Sequence, residues 1–376
     1  MPSDTLEVRV SLQKLLILLV VILVPLNFIG LYLSSESGTS LRRTIGEHFK
    51  TIAQAEGSAV LHFVNDRVID VGAITMESTV VDAVTKANRA YANVSDDKIV
   101  ARVGEVESEW ASPKADSLVT AMLSSDTSAA LRRHRELDPW LLKIIVEDIN
   151  GVPVAATDKP LHYAPVDKKF LDAVTAGGRG GVYVSELLYD EQSKSDYVGV
   201  GFPVFDRGSH RFIGMVNALV DVSGLFSGLN LEESGRNART TLIKEDGTVV
   251  SAPSVTPSMR LRSEEYAAVR DALGTLQGRE AGYVVANMRG ENRIVGFADT
   301  GLKRNYPNLA WLVMVSQREE EALASIRTVG HFAFLMVLVG LLMVTLLAVH
   351  FFLHRRQQMA DIEAVEENGA GKNLAA

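Results

Sequence analysis

The feature that most constrains the fold of this chain is a pair of short hairpin sequences about one hundred residues apart. The first, IVEDINGVPVAAT, places Asn150-Gly151 between two apolar runs, and the second, TLIKEDGTVVSAP, places Asp246-Gly247 between two others. Asn-Gly and Asp-Gly between apolar runs are strong hairpin signals, because both residues of each pair tolerate the positive φ of a tight turn. The chain is therefore expected to contain two similar β-hairpins.

Three later features repeat in the same order and at nearly the same spacing. FLDAVTAGG is echoed by VRDALGTLQG, GVYVSEL by GYVVAN, and YVGVGFPV by RIVGFAD. One shared hairpin would mean little, but four features in one order indicate a duplicated module. Each copy reads strand, strand, helix, strand, strand, strand, which predicts a five-stranded antiparallel sheet covered by a helix. The predicted fold class is α+β, with one module at 139–229 and a second at 238–317.

Two long apolar segments bracket the modules. Residues 15–33 and 332–353 are each about as long as a helix that crosses ~30 Å of hydrocarbon. Basic residues precede the first segment and follow the second, so the positive-inside rule predicts that both ends of the chain are cytoplasmic. A cleavable signal peptide is the alternative for the first segment, but its apolar run is longer than usual and no A-x-A-like site follows it.

This topology predicts a protein of a bacterial inner membrane whose residues 34–331 are periplasmic or extracellular. Residues 1–14 form the predicted cytoplasmic N-terminus. Residues 354–376 form a predicted cytoplasmic tail that is too short and too polar to build a core. Output is therefore expected to come from a separate protein; the alternative is that the chain is a fragment of a longer receptor.

The segment 34–138 reads as helix. Apolar residues recur at helical spacing from Glu36 to about Tyr91 without a proline, which predicts one long helix that continues from the first apolar segment. Two shorter helices are expected to begin near Ser95 and Ser125. Because these helices are polar on one side, they suit a stalk or a dimer contact more than a buried bundle. A further connecting helix is predicted at 318–331.

Composition and motifs exclude several function classes. The net charge of -8 leaves no basic face for nucleic acid, and the absence of cysteine excludes disulfides and thiolate metal sites. The eight histidines are scattered without metal-ligand spacing, and no nucleophile elbow or phosphate-binding loop occurs. We therefore expect no cofactor, no metal site, no nucleic-acid partner and no enzymatic activity.

The order of these features resembles the double Cache family of extracellular bacterial sensor domains, which carry two PAS-like modules on a long helix between two membrane spans. The resemblance covers about 34–327. It rests on the paired hairpins, on FLDAV before a glycine-rich turn, on FPVFDRGSHRFIGMVNALVDVSGL, and on AWLVMVSQREEEALASI before the second apolar segment. It implies that the membrane-distal module, 139–229, binds a small ligand and that the membrane-proximal module, 238–317, passes the change to the membrane.

The resemblance departs from the pattern of relatives that bind amino acids. Those relatives carry an Arg-x-Trp-Tyr or similar run before the helix, which holds the ligand carboxylate. The corresponding stretch here is DKKFLDA, with Asp167 in place of the Arg and Lys169 in place of an aromatic residue. A trailing Asp that helps hold the ligand amine in those relatives is matched by Asp221. An organic acid, an amine and no ligand at all therefore stay open.

Strand parity predicts the pocket independently. Alternate side chains of a strand share a face, which places Asn217 and Asp221 among apolar neighbours and puts Tyr183 and Ser185 together. Buried amides and carboxylates need partners. The alternatives are that Asp221 caps the turn DVSGL and that Asn217 bonds neighbouring backbone. The predicted ligand-binding residues are Lys169, Phe170, Tyr183, Ser185, Tyr197, Asn217 and Asp221.

These patterns predict a homodimeric sensor that binds an unidentified small molecule outside the cytoplasm. The signal would pass through the second span to a separate cytoplasmic or membrane signalling protein. The alternative is a non-signalling envelope protein that captures a solute or scaffolds a membrane complex.

Overall fold

A computed structural model describes most of the chain. The described residues are 12–165, 168–191, 193–229, 238–252, 255, 260–275, 280–324 and scattered positions between 334 and 352. They form two compact units, one with the residues up to Ile45 and from Glu319 onward, the other running from Gly46 to Arg318. Both β-sheets belong to the second unit.

Five helices precede the first strand. They are α1 (Leu12–Thr75), α2 (Ser78–Arg89), α3 (Asp96–Glu109), α4 (Asp116–Leu123) and α5 (Asp126–Leu137). Ser125 caps α5, since its Oγ accepts a hydrogen bond from the Ser128 N–H at 3.1 Å. Ser95 occupies the corresponding position before α3, but its side chain makes no capping bond.

The single helix predicted from Glu36 to Tyr91 is wrong in one respect, because the chain breaks between α1 and α2. Glu77 adopts an extended conformation there, with φ -67° and ψ 140°. After the break, α2 buries Val80 and Val84. This apolar face packs against the first sheet. The packing explains why the chain turns here although no Pro or Gly occurs at the break.

The shorter helices of 34–138, whose polar sides suggested a stalk or a dimer contact, also have a packed side. Helices α2, α4 and α5 pack against the strands of the first module. The Asn88 amide donates to the Ile213 carbonyl at 2.7 Å, and the Ala156 N–H donates to Ser128 Oγ at 3.0 Å. These helices are therefore part of the module that they precede in sequence.

The distal sheet has the predicted order of elements. Its parts are β1 (Leu141–Asp148), β2 (Pro153–Ala156), α6 (Lys168–Thr175), β3 (Tyr183–Asp190), β4 (Ser195–Phe205) and β5 (Phe212–Asp221). The strands pair antiparallel in the order β2-β1-β5-β4-β3. Helix α7 (Ser223–Leu229) follows the last strand.

The proximal sheet repeats this plan. Its parts are β6 (Arg239–Lys244), β7 (Val249–Ser251), α8 (Tyr266–Thr275), β8 (Ala281–Met288), β9 (Glu291–Asp299) and β10 (Trp311–Arg318). The strand order β7-β6-β10-β9-β8 matches that of the distal sheet, which confirms the predicted duplication and the α+β fold class.

The two faces of the distal sheet differ in chemistry. One face is apolar and fully buried, with Ile144 and Val146 on β1 and Val216, Ala218 and Val220 on β5. This is the alternation expected of a strand with one face on a core. The opposite face of the same strands carries polar side chains beneath α6, and it forms the site described below.

Glycines let α1 approach both sheets closely. A Cβ on Gly296 of β9 would lie 2.4 Å from the backbone of Lys50, and one on Gly72 of α1 would lie 2.8 Å from the Phe202 ring. These distances are shorter than any ordinary carbon contact. Any larger residue at either position would push the helix away from a sheet.

The unit formed by the two ends of the chain includes the first half of α1 and the short helix α9 (Glu319–Ala322). An ion pair joins Arg42 to Glu319. The rest of the predicted connecting helix, most of 332–353 and most side chains of 15–33 lie outside the described residues.

In the part of the chain that the structure describes, no helix combines the length and the apolarity needed to cross a membrane.

Candidate functional site

A cavity of about 300 Å³ lies on the polar face of the distal sheet. Strands β1, β3, β4 and β5 form its floor. Helix α6 and residues 157–165, which we call the roof loop, lie over it. Phe170 and Leu171 line it from the helix, and Pro160, His162 and Ala164 line it from the loop.

The floor is built by alternate residues of two central strands. Lys143, Ile145 and Glu147 line the cavity from β1, and Met215, Asn217 and Leu219 line it from β5. The strands pair so that Ile145 is directly opposite Asn217 and Glu147 opposite Met215. Because side chains alternate between the two faces of a strand, the amide of Asn217 and the carboxyl group of Glu147 lie in the same part of the floor.

Glu147 is the most perturbed acid of the cavity. It lies deep in the module but keeps some accessible surface, which faces the cavity. Burial raises the pKa of its carboxyl group to about 8, a hydrogen bond from Asn217 lowers it in part, and the charge of Asp148 raises it further. An empty site at neutral pH therefore holds this carboxyl group mainly protonated.

A second pair of charges lies at the β3 edge of the cavity. Burial alone would raise the pKa of Asp190, but hydrogen bonds from Ser193 and the charge of Lys143 hold that pKa below its ordinary value. The Ser193 N–H and Oγ donate to Asp190 at 2.8 and 2.7 Å. Asp190 is therefore ionised, and the positive charge of Lys143 lies near an anion of the protein itself.

Helix α3 holds the roof loop in place. The Tyr163 and Ala164 N–H groups donate to Glu107 Oε2 at 2.6 and 2.9 Å, and His162 Nδ1 lies 2.8 Å from Glu107 Oε1. The Trp110 indole N–H also donates to the Pro160 carbonyl at 2.9 Å. The loop is fixed by side chains about fifty residues earlier in the chain, so α3 helps to determine the shape of the cavity.

Four of the predicted site residues line this cavity: Phe170, Ser185, Tyr197 and Asn217. Ser185 lies in an irregularity of the β3–β4 pairing. Its Oγ donates to the Glu186 carbonyl at 2.7 Å and accepts from the Gly199 N–H at 2.8 Å. The hydroxyl thus replaces a missing backbone partner where β3 bulges.

The other three predicted residues have different surroundings. Lys169 is exposed on α6, and Tyr183 packs edge to face on Phe170, with ring centroids 5.1 Å apart. Asp221 Oδ1 accepts a hydrogen bond from the Ser223 N–H at 2.7 Å, which is the capping role held open as an alternative. None of the three is among the residues that line the cavity.

Three charged residues of the cavity were missed by the sequence analysis. They are Lys143, Glu147 and Asp190. The signal for Glu147 was present, since parity from Ile145 places it on the same strand face. The sequence analysis applied parity to β5 and not to β1, so it did not consider this residue.

A second, wider hollow of about 570 Å³ lies beside α1, lined by Arg67 and Trp140 among others. The Arg67 guanidinium is already paired there with Asp70 at 3.0 Å and with Asp138 at 2.7 Å. We take the distal cavity as the candidate site, because it is the more enclosed of the two and polar groups of the sheet line its floor. Among the described residues, no three His, Asp or Glu side chains converge as a metal site would require.

The proximal sheet carries apolar side chains at the positions that correspond to the polar floor of the distal cavity. Glu147 lies opposite Met215 on β5, and Ile243 lies opposite Leu312 on β10. Glu147 and Ile243 each follow the irregularity in their own first hairpin, so they occupy the same position. By strand register the further equivalent pairs are Asn217 with Met314, Gly199 with Val295, and Gly201 with Phe297.

The apolar residues at these proximal positions pack into one buried cluster with Val269 of α8. In the distal module, a Cβ on Gly201 would lie 2.6 Å from Phe170 and 2.5 Å from Val174. Gly201 therefore lets α6 pack close to the sheet, while Gly199 leaves room beside Ser185. The cavity exists because small and polar residues stand where the proximal module has large apolar ones.

Solved structures of other proteins share this architecture. The sensory domain of the Campylobacter jejuni chemoreceptor Tlp3 aligns with a TM-score of 0.50 at 11% sequence identity, over 76% of this chain and 98% of that one. The chain has the double Cache fold. The predicted pair of PAS-like modules that follows a long helix is therefore confirmed.

Two further double Cache structures illustrate the range of similarity. The ligand-binding domain of the Pseudomonas fluorescens chemoreceptor CtaA, solved with L-isoleucine, aligns at 10% identity and a TM-score of 0.45 over 76% of this chain and 98% of that one. The Pseudomonas aeruginosa amino-acid chemoreceptor PctB, solved with L-Arg, aligns at 15% identity and a TM-score of 0.43 over 75% and 98%. No family model and no curated protein matches the chain.

Proposed function

We propose that this protein is a sensor of a bacterial inner membrane that binds a small extracytoplasmic ligand in its distal double Cache module. Residues 15–33 and 332–353 are the proposed membrane spans, with 34–331 in the periplasm. The bound ligand changes the conformation of the second span, and a separate cytoplasmic or membrane protein receives the signal. The proposed sensor is a homodimer.

The observation that carries the proposal is the distal cavity itself. Its sheet floor holds Glu147 and Asn217 at positions where the proximal sheet has Ile243 and Met314. Buried polar groups cost stability unless they are satisfied, and a fold that fills these positions with apolar residues does not need them. A ligand that completes their hydrogen bonds explains why the distal module carries them.

Contacts around Ser185 support transmission between the modules. The residue lines the cavity, and both of its neighbours in β3 contact the proximal module. The Asn308 amide donates to the Val184 carbonyl at 2.9 Å, and Lys244 Nζ lies 3.0 Å from Glu186 Oε2. A ligand that shifts the β3 bulge would therefore move groups bound directly to the second module.

The first test is a thermal-shift screen of the full chain in detergent against amines, carboxylates and neutral metabolites, since a ligand bound only by the folded state raises the melting temperature. We expect a saturable shift that is lost in Asn217→Leu. The matched control is Met314→Leu at the equivalent proximal position, which should keep the shift. A shift lost equally in both variants, or produced by no compound, would contradict binding in the distal cavity.

A second test separates a sensor from a protein that only captures a solute. The chain contains no cysteine, so Glu320→Cys gives a single attachment point for a spin label. We expect a distance between labels of two protomers, and a change in that distance when the compound from the screen binds. An unchanged distance would favour capture or scaffolding, and the absence of any distance would contradict the homodimer.

A further inference from the structure

We propose that the ligand of the distal cavity carries a protonated amine, that Glu147 receives this ammonium group, and that binding releases the proton of Glu147 to solvent. The inference rests on the proposed function of the cavity and assigns its ligand class. The Glu147 carboxyl group loses its proton, and the resulting carboxylate pairs with the ammonium group, which keeps all of its own protons.

The first argument is that the fold does not require Glu147. Its equivalent in the proximal sheet is Ile243, which is fully buried in the apolar cluster beneath α8. Replacing a buried apolar residue by an acid normally lowers stability. An acid at this position, with its remaining surface turned toward a cavity, therefore serves something that enters the cavity.

Second, the contacts of Glu147 with the described residues include no cation. The Asn217 amide supplies one hydrogen bond, and the charge that raises the pKa of Glu147 is the like charge of Asp148. Asp148 is 1% exposed, and its Oδ1 accepts hydrogen bonds from the Asn150 and Val152 N–H groups. Among the described residues, no Lys, Arg or His forms an ion pair with Glu147. The missing counter-charge is the feature that a ligand ammonium would supply.

The third argument is that the other titratable groups of the cavity favour a cation over an anion. Lys143, on the same face of β1, lies near ionised Asp190, and His162 of the roof loop is hydrogen-bonded to Glu107. Tyr197 on β4 also lines the cavity. Burial is the main cause that raises the pKa of its hydroxyl, and the negative charge of Asp190 raises it further. No arginine is among the described residues that line the site and could hold a carboxylate. The positive charge of Lys143 lies beside Asp190, and Glu147 is the carboxyl group that a ligand cation would meet.

Proton release follows from the protonation of the empty site. The pKa of Glu147, raised by burial to about 8, leaves the carboxyl group protonated at neutral pH. A cation in contact with a carboxyl group lowers its pKa. The apolar part of the floor, including Ile145, Met215 and Leu219, and Leu171 of α6 leave room for a short alkyl chain beside the ammonium group.

Isothermal titration calorimetry of the full chain in detergent tests the proposal with three probes of equal chain length: n-butylamine, butyrate and n-butanol. Titrations at neutral pH in phosphate and in MOPS, whose enthalpies of ionisation differ, report the number of protons released. We expect n-butylamine to bind more tightly than the other two probes and to release about one proton per site.

Two variants test whether Glu147 is the group that releases the proton on binding. Glu147→Gln should lower the affinity for n-butylamine at least tenfold and abolish proton release. Asp190→Asn, which changes the other acid of the cavity, should keep the release. Unchanged affinity and release in Glu147→Gln would overturn the proposal.

The outcomes also separate this proposal from the sensor function. Tighter binding of butyrate or n-butanol would overturn the amine assignment while leaving a ligand-binding cavity intact. Binding of none of the three probes would overturn the amine assignment, and the wider screen would then decide the sensor function alone.

If Glu147→Gln does not fold, the wild-type chain still provides a test. Its affinity for n-butylamine should rise with pH and level off above about 8, the folded-state pKa of Glu147. Proton release should fade over the same range. An affinity that does not change with pH would overturn the proposal.

Discussion

The distal and proximal modules have the same strand order, the same first hairpin and a helix over the same face of the sheet, but their interiors differ. Beneath α8 the proximal sheet presents Ile243, Val295, Phe297 and Met314 in one apolar cluster. Beneath α6 the distal sheet presents Glu147, Gly199, Gly201 and Asn217 at those positions. The strands specify the shared architecture, and a few inward side chains distinguish the apolar cluster of the proximal module from the polar floor of the distal cavity.

The equivalent positions of the two modules also contribute differently to stability. Apolar residues at the proximal positions contribute burial and dispersion to stability. The distal positions give up part of that contribution to keep a space of about 300 Å³ and a buried acid. The distal module therefore loses some stability at a few positions, and the same positions form the binding site.

The largest predicted effect is for Ile243→Glu, which places the distal acid in the filled proximal core. Ile243 is fully buried, so an uncompensated carboxylate there should lower the free energy of unfolding by about 3–5 kcal/mol. Urea denaturation measures the change. The control Ile243→Leu keeps an apolar residue of equal size and should cost less than about 1.5 kcal/mol. A loss below about 1 kcal/mol for Ile243→Glu would contradict the conclusion that the position equivalent to Glu147 lies in an apolar core in the proximal module.

The reverse substitution, Glu147→Ile, should raise the free energy of unfolding by about 1–2 kcal/mol at neutral pH, because it replaces a buried polar group with an apolar one. The same variant should lose the ligand-induced thermal shift. Urea denaturation and the thermal-shift assay measure the two effects. Lower stability than the wild type would show that Glu147 has a structural role.

The pH dependence of stability should carry the signature of Glu147. Its pKa is raised from an ordinary 4.5 to about 8 on folding, so between these values the folded state holds a proton that the unfolded state has lost. Stability relative to Glu147→Gln should therefore fall as pH rises through this window, by at most about 1.4 kcal/mol per pH unit. Denaturation of both proteins at several pH values gives the difference. Parallel curves would show that Glu147 keeps an ordinary pKa.

Glu107→Ala tests whether α3 shapes the cavity through the roof loop. The carboxylate accepts hydrogen bonds from the Tyr163 and Ala164 N–H groups, so its loss should cost about 1–2 kcal/mol. Hydrogen–deuterium exchange at 160–165 should become faster. Glu105→Ala, an exposed acid on the same helix, is the matched control. Unchanged exchange in Glu107→Ala would show that the loop is held by other contacts.

The smallest effect on stability is expected for Lys244→Ala, which removes the ion pair with Glu186 between the modules. This pair is exposed on the Glu186 side, so the loss should be below about 0.5 kcal/mol. The ligand-induced change at a label on Glu320→Cys should nevertheless become smaller. Lys303→Ala, which removes a pair with Glu245 inside the proximal module, should leave that change intact. Equal responses in both variants would argue against transmission through β3.

Local signals explain how much of the fold could be predicted from the sequence. The two hairpins are encoded by Asn150-Gly151 and Asp246-Gly247, and Gly151 and Gly247 have φ of 75° and 86°. Period-two alternation then identified which side chains of β5 share a face. The break at Glu77 has no such local signal, because it is fixed by the packing of α2 on a sheet that forms later in the chain.

The same distinction applies to the candidate site. Parity placed Asn217 correctly on the face that lines the cavity, and Phe170, Ser185 and Tyr197 lie there with it. Glu147 was not predicted, and the cavity that it lines is completed by the roof loop, which Glu107 of α3 holds in place. Those contacts join segments about fifty residues apart, so no short stretch of sequence contains them.

Hydrogen–deuterium exchange of the full chain, with and without the compound that gives the largest thermal shift, shows where the ligand binds. We expect slower exchange at 143–147 and 215–219 and in the roof loop, with little direct protection of β6 and β10. Protection confined to the proximal sheet, with the distal strands unchanged, would contradict the assignment of the distal cavity as the binding site.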